Sequence, residues 1–252
     1  MTSFCLSHYR TEEIVVIGGQ NEHGNTVASI YILNLNVEKY KHLQWIKDEN
    51  SMLHYQRFGA NSCCINNGRD IMIIGGYNFA AQSLKSTEIY KYQRKECELL
   101  KDMNYKRYKP GCVKSSTIFD QVIVGGGRGD EGKNSRRTIE MFDLHKQEWL
   151  LYPYKTNCIH TSNPCIWVNK RNENIVYIAG NWIENHTKSS LGFIEYVDIR
   201  ENNAKWRIIN YDGENRGSNI DDERMNASID ELFRLPHVDE SKWRSRALIW
   251  MS

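Results

Sequence analysis

The chain has 252 residues, of which 40% are hydrophobic, 11% aromatic and 25% charged, so intrinsic disorder is excluded for the chain as a whole. Lys and Arg number 33 and Asp and Glu 31, so the net charge of +2 predicts neither nucleic acid nor an anionic membrane as a partner. There are 17 glycines and only 4 prolines, which makes the placement of the glycines the first feature to follow.

Four short apolar runs recur along the chain, and each one ends in small residues. They occupy 14–19, 71–76, 121–126 and 175–180. Their last glycines, Gly19, Gly76, Gly126 and Gly180, stand 57, 50 and 54 positions apart. Each run is short and rich in β-branched residues, which predicts a buried strand followed by a tight glycine turn. We name this element strand b.

Three further elements accompany each strand b. A cysteine precedes it by 12 to 14 positions, at Cys5, Cys63, Cys112 and Cys165, and predicts one repeated buried position on a strand a. A β-rich segment follows at 31–35, 88–92, 140–144 and 195–199, and predicts a strand c. A strand d is marked by Trp45, Trp149 and Trp206, and by Cys97 in the second unit.

Units of four short strands with a period of about 50 residues are typical of propeller blades. A terminal diglycine, an aromatic in strand c and a Trp about seven positions later resemble the kelch repeat, in four copies over residues 3–209. The resemblance implies an all-β fold, a kelch-type β-propeller of about four four-stranded blades that is incomplete or open. Ala179 in place of the first glycine, Cys97 in place of Trp, and Leu33 and Val197 in aromatic positions depart from the pattern. They predict weaker packing in units one, two and four.

The predicted blades span about 2–50, 57–101, 107–152 and 160–209. A polar insertion is predicted at 210–242, and 243–252 resembles the start of a fifth repeat. Three architectures are open: a fragment of a larger propeller, an open arc, or a small closed ring with one redundant strand. We favour the incomplete arc, because a fifth diglycine is missing. Exposed edges on the terminal blades then predict self-association.

No motif predicts a cofactor, a metal or a catalytic centre. Residues 127–134 come within one position of a phosphate-binding P-loop, but Asn134 replaces the required hydroxyl. The residues that follow are predicted to form a loop and a strand, whereas a P-loop requires a helix. The histidines show no HExxH pattern and no paired spacing with cysteines, so zinc is not predicted.

The loops carry the predicted binding function. Because strands alternate in direction, the b–c loops at 20–28, 77–85, 127–137 and 181–191 share one face with the d–a loops. Exposed Arg, Tyr and Trp are the residue types that anchor protein interfaces. The candidate binding residues on the loop and channel-mouth face are Arg57, Arg107, Tyr77, Asn78, Arg128, Arg136, Arg137 and Trp182. The alternative for Tyr77, Phe79 and Trp182 is that they pack under their own loops.

The resemblance implies a protein-interaction module and not an enzyme, with a cytoskeletal or ubiquitin-ligase-related protein as partner. The alternatives are a carbohydrate-active kelch-like enzyme, either an oxidase or an isomerase, and a non-functional fragment of a larger protein. No secretory signal precedes the repeats and no apolar run approaches the roughly 18 residues that span a bilayer. The odd number of cysteines, 7, has no CxxC spacing. These features predict a cytoplasmic protein with reduced thiols and no membrane partner.

Overall fold

The structure, a computed structural model, describes residues 3–7, 13–35, 44–115, 120–129, 133–160, 163–169, 171–180 and 194–209. Contacts divide the chain into Met1–Ile208 and Ile209–Ser252, and the fold below is that of the first unit. The predicted insertion at 210–242, the predicted fifth repeat at 243–252 and Trp182 lie outside the described residues.

Four antiparallel sheets of four strands follow one another along the chain. The first sheet contains β1 (Ser3–Ser7), β2 (Glu13–Ile17), β3 (Ser29–Asn34) and β4 (Trp45–Met52). The second contains β5 (Asn61–Ile65), β6 (Asp70–Ile74), β9 (Thr87–Lys91) and β10 (Glu96–Leu100). A small hairpin, β7 (Tyr77–Asn78) and β8 (Gln82–Ser83), interrupts the second sheet between β6 and β9, and a 3-10 turn (Asn66–Gly68) joins β5 to β6.

The third sheet contains β11 (Gly111–Lys114), β12 (Gln121–Gly125), β13 (Ile139–Asp143) and β14 (Glu148–Leu151). The fourth contains β15 (Cys165–Val168), β16 (Ile175–Ala179), β17 (Ile194–Asp198) and β18 (Arg207–Ile209). A helix of one turn, α1 (Lys133–Arg137), lies between β12 and β13 where a loop was predicted. In the described part of the chain, no helix has the length and apolar character to cross a membrane.

The first strands of successive sheets pack side by side, β1 with β5, β5 with β11, and β11 with β15. The sheets are therefore the blades of a propeller, which confirms the predicted all-β fold of four four-stranded blades. Within the residues that the structure describes, the four blades are not closed into a ring. Self-association through the terminal blades stays a prediction.

The core lies between the blades. Met72 and Ile74 of the second blade pack against Val122, Val124 and Phe142 of the third. Alternate residues of a strand point to opposite faces of a sheet. Strand b of an inner blade is covered by a neighbour on both faces, so both sets of side chains must be apolar. This explains why strand b is a continuous apolar run.

Two tryptophans of strand d form hydrogen bonds to the connection that leads from the preceding blade. Trp149 is 8% exposed and its Nε1 donates to the Lys101 carbonyl at 2.8 Å. Trp206, 6% exposed, donates in the same way to the Tyr154 carbonyl at 3.2 Å. Trp45 of the first blade is 44% exposed. The same residue type thus occupies a buried site in the third and fourth blades and a solvated one in the first.

This contrast predicts unequal effects of one substitution at two sites. Trp149→Ala is expected to lower the free energy of unfolding by about 3–5 kcal/mol, because it leaves a cavity between blades two and three. Trp45→Ala is the matched control, with an expected loss of about 1 kcal/mol or less. Urea denaturation followed by circular dichroism measures both. Equal losses would show that Trp149 is no better packed than Trp45.

The glycine turns correct the predicted register of two units. Gly18, Gly19, Gly75 and Gly76 adopt positive φ angles of 65°, 112°, 64° and 106°. In the third blade Gly126 and Gly127 do so, at 62° and 83°, whereas Gly125 is the last residue of β12 and pairs with Ile139. The turn therefore comes one residue later than predicted. Ala179 is likewise the last residue of β16 and pairs with Ile194, so it does not replace a turn glycine. Gly180 occupies the first turn position of the fourth blade.

The prediction that the four cysteines share one position was wrong. Cys5 pairs with Val15 and Cys63 with Met72, at the same level of their sheets. Cys112 pairs with Val124, one residue nearer the glycine turn, and Cys165 pairs with Ala179, two residues nearer. The a–b hairpins differ in length, so equal spacing along the chain does not give equal positions in the sheet. Cys165 is also exposed, contrary to the predicted burial.

Candidate functional site

Two of the predicted binding residues, Arg57 and Arg107, lie inside the blades. Both side chains are fully buried, each against a buried glutamate. The guanidinium groups are thus not available on the loop face, and this corrects their predicted position at the channel mouth. An arginine is buried at low cost only when its charge and its donors are satisfied, and here they are.

Arg57 joins the glycine turns of the first and second blades. Its guanidinium donates to the carbonyls of Gly75 at 2.7 Å and Ser86 at 3.1 Å, and forms an ion pair with Glu88. Its own carbonyl accepts the N–H of Gly19 at 2.7 Å. Burial lowers the pKa of Arg57, and the Glu88 carboxylate opposes that shift.

Arg107 repeats the arrangement between the second and third blades. Its guanidinium donates to the Gly126 carbonyl and the Thr138 hydroxyl, both at 2.8 Å, and pairs with Glu140 at 2.9 Å. Its carbonyl accepts the N–H of Gly76 at 2.8 Å. The backbone of each arginine therefore holds one turn while its side chain holds the next.

The glutamates also hold the chain segment that leads into their own blade. Glu88 accepts the backbone N–H groups of His54 and Tyr55 at 2.7 and 3.1 Å, and Glu195 accepts those of Asn157 and Cys158, both at 2.7 Å. Sequence analysis missed these acidic residues. Their signal is a Glu at the same place in three otherwise apolar c strands, at Glu88, Glu140 and Glu195.

The fourth blade carries a histidine where the two preceding blades carry arginine. His160 is buried, its Nε2 lies 3.0 Å from Glu195 Oε1, and its carbonyl accepts the Gly127 N–H at 2.9 Å. Burial raises the pKa of Glu195, but the hydrogen bonds from His160 and the two backbone N–H groups outweigh it, so the pKa lies below its usual value. In the first blade Tyr31 takes the place of the glutamate.

The loop face is built by short bridges between the d–a and b–c connections. Phe58 and Tyr77 exchange backbone hydrogen bonds at 3.0 and 2.9 Å, and Tyr108 and Arg128 form the same bridge one blade later. Tyr77 and Arg128 each follow directly after a pair of turn glycines. Trp182 stands two positions after Gly180 in the sequence and lies outside the described residues.

Four rings meet on this face and form a cluster that we call the aromatic cluster: Phe58, Tyr77, Phe79 and Tyr108. The ring centroids lie 5.4 Å apart for Phe58 and Tyr77, and 5.6 Å apart for Tyr77 and Tyr108. Phe79 contacts two rings of the cluster but is 63% exposed. Tyr77 is half-buried among its neighbours, whereas Phe79 presents an apolar ring to solvent.

Two cations flank the aromatic cluster. Lys109 Nζ lies 5.4 Å from the centroid of the Tyr108 ring, and Arg128 is exposed beside the same residue. Burial lowers the pKa of Lys109, and the positive charge of Arg128 lowers it further. Burial raises the pKa of Tyr108, and Arg128 opposes that shift. The positive charge of Arg128 therefore acts on both Tyr108 and Lys109.

The remaining predicted residues serve local structure. Asn78 Oδ1 accepts the N–H of Ala81 at 2.6 Å and closes the β7–β8 hairpin. Arg136 and Arg137 lie half-buried in α1, and Arg137 Nε donates to the Thr156 carbonyl at 2.7 Å. Of the predicted set, the structure thus brings Tyr77 and Arg128 together at the aromatic cluster. Sequence analysis missed Phe58, Tyr108 and Lys109, although an Arg followed by an aromatic at 57–58 and again at 107–108 was a usable signal.

The aromatic cluster combines exposed apolar surface with positive charge. Among the described residues, no three His, Cys, Asp or Glu side chains come together as metal ligands. An exposed aromatic ring, supported by half-buried rings and bordered by cations, is typical of an interface anchor. The strands beneath it hold the loops through the buried Arg–Glu pairs.

Comparison with known proteins finds sequence similarity to kelch-repeat proteins. A family model described as Kelch motif matches residues 57–104. The chain is 26% identical over 184 residues to "Kelch repeat and BTB domain-containing protein 2" of cowpox virus (strain GRI-90) and to the protein of the same name from ectromelia virus (strain Moscow). The horsepox virus protein of that name is 25% identical. The match covers 73% of this chain and 29–30% of each relative.

Proposed function

Because this chain carries kelch repeats, we propose that it is a protein-interaction module whose loop face binds a protein partner. The observation that carries the proposal is Phe79, a ring 63% exposed on a supported aromatic cluster. Soluble proteins bury large aromatic surface where they can, and an exposed ring on a prepared surface favours an interface.

The architecture supports this role through rigidity. Arg57 and Arg107 tie the glycine turns of neighbouring blades together, so the loops that follow those turns start from fixed positions. Binding to preorganised loops costs less conformational entropy than binding to mobile ones. The loop face therefore suits a partner that is recognised by shape as well as by composition.

The relatives' names support a proposal about the class of partner. Their printed names pair kelch repeats with a BTB domain, and this chain spans 30% or less of their length. We propose a partner related to ubiquitin ligases, with a cytoskeletal protein as the second candidate. The proposed role is non-catalytic, because the relatives' names describe domains and no reaction.

The proposal predicts that binding depends on one side chain. Phe79→Ser is expected to deplete specific partners at least about tenfold in quantitative affinity capture from a cell lysate, because the ring is the exposed anchor of the cluster. The matched control is Leu99→Ser, which removes an exposed apolar side chain from the outer strand β10. Binding at the loop face would be contradicted if the captured partner were retained equally by the wild type and both variants. It would also be contradicted if the partner were lost equally from Phe79→Ser and from the control.

A further inference from the structure

We propose, as an extension of the proposed function, that the aromatic cluster with Lys109 and Arg128 binds an acidic peptide segment carrying a large apolar side chain. The partner segment would place an aromatic or aliphatic side chain against Phe79 and its carboxylates against the two cations. Each half of this recognition has its own support in the structure.

The apolar half rests on the packing of the rings. Phe58 and Tyr77 are half-buried and hold Phe79 from below, with centroids at 6.0 and 5.9 Å from the Phe79 ring. Tyr108 lies directly over Gly59, where a Cβ atom would overlap its ring, so the glycine makes room for the cluster. The cluster is therefore packed in place before any ligand arrives, and Phe79, 63% exposed, remains accessible to a side chain.

The charged half rests on two cations for which the described residues provide no carboxylate partner. Neither Lys109 nor Arg128 forms an ion pair with a carboxylate of the residues that the structure describes. Other surface lysines of these two blades do so: Lys85 with Asp102 at 3.5 Å, Lys101 with Glu148 at 3.0 Å and Lys114 with Asp120 at 2.9 Å. The patch is thus a place where carboxylates of a partner would meet positive charge that no described carboxylate pairs with.

The surrounding loop keeps the same sign of charge. Asp130 and Glu131 follow Arg128 in the chain and lie outside the described residues. The loop 127–137 nevertheless contains four basic residues against these two acidic ones, and its net charge is positive. A carboxylate ligand would also relieve the repulsion between Lys109 and Arg128, which lowers the pKa of Lys109.

The ring geometry favours a peptide over single-stranded RNA. Nucleotide-binding surfaces present ring faces on which bases stack. Here the rings meet edge to face, with interplanar angles of 61° for Phe58 and Tyr77 and 86° for Tyr77 and Phe79. The ring planes are inclined to one another by 39° to 86°, so they do not form one extended platform for stacked bases.

The test is selection of a random peptide library, displayed on phage, against the purified full chain. We expect selected peptides to be enriched in Asp and Glu next to an aromatic or large aliphatic residue. A synthetic copy of the best peptide should bind at least about tenfold more weakly to Phe79→Ser and to the double variant Lys109→Gln, Arg128→Gln. Its affinity should also fall several-fold between about 50 mM and about 500 mM salt. The control double variant, Arg94→Gln with Lys101→Gln, removes two paired surface cations and should bind normally.

Each contrary result has a distinct meaning. One such result is that selected peptides depend on Phe79 for their affinity but lack acidic residues. Another is that they bind the Lys109→Gln, Arg128→Gln variant as tightly as the wild type. Either result would overturn the inference that the ligand is acidic and would leave the proposed function unchanged. If no selected peptide depends on Phe79, both the inference and the proposed function are wrong. A mixed-sequence RNA oligonucleotide that binds through Phe79 more tightly than any peptide would overturn the peptide inference.

Discussion

Arg107→Met is expected to lower the free energy of unfolding by about 3–5 kcal/mol. Arg107 and Glu140 are both 0% exposed and their charged atoms lie 2.9 Å apart, so the substitution leaves a carboxylate buried without its counter-ion. It also removes the donors to the Gly126 carbonyl and the Thr138 hydroxyl, two groups that water does not reach.

The matched control is Arg94→Met, which removes an arginine that is 70% exposed and paired with Glu96 at 3.4 Å. A solvated pair of this kind contributes little, so the expected loss is about 1 kcal/mol or less. Urea denaturation of both variants measures the difference. Replacing both Arg107 and Glu140 with apolar residues should recover part of the lost stability, because no charge is then left unpaired. A loss at Arg107 as small as at Arg94 would mean that the buried pair does not hold the blades.

Gly75→Ala is expected to cost about 3 kcal/mol, from the left-handed backbone and from a lost hydrogen bond between blades. Gly75 has a φ of 64°, and a Cβ atom there would overlap the carbonyl oxygen of Arg107. That oxygen accepts the Gly76 N–H at 2.8 Å, so moving it away breaks the contact that joins the second and third blades.

Gly24→Ala separates the two contributions. Gly24 also has a positive φ, 78°, but nothing lies within 4 Å of the position a Cβ atom would take. Its expected loss is therefore about 1 kcal/mol, the cost of the left-handed backbone alone. Thermal unfolding of the two variants gives the comparison. Equal losses would show that the close approach of the Arg107 carbonyl has no energetic weight.

The fold could be predicted because its signals are local. A β-branched run that ends in glycine indicates a strand and the turn that follows it from a few neighbouring residues. The register of the third blade could not be predicted from the sequence, because the three consecutive glycines 125–127 allow two placements of the turn. Pairing of Gly125 with Ile139 decides between them, and that pairing is a tertiary property. The assignment of the cysteines to one position failed for the same reason.

The candidate site was predictable only in part. Tyr77 and Arg128 follow the glycine turns, and their place on the loop face follows from strand direction. The burial of Arg57 depends on Glu88, 31 positions away, which sequence spacing does not connect with it. Likewise, Phe58 reaches the Phe79 ring from another connection, and Tyr108 packs against Phe58 from a third. The sequence alone does not show which separate loops come together in the fold.

Hydrogen–deuterium exchange of the full chain, with and without the best selected peptide, tests most directly whether the loop face is the binding surface. We expect slower exchange at 58–60, 77–84 and 108–109 and at 127–129, the segments that carry the aromatic cluster and its two cations. Slower exchange confined to the outer strands β4, β10 and β14, with none in those loops, would contradict the account.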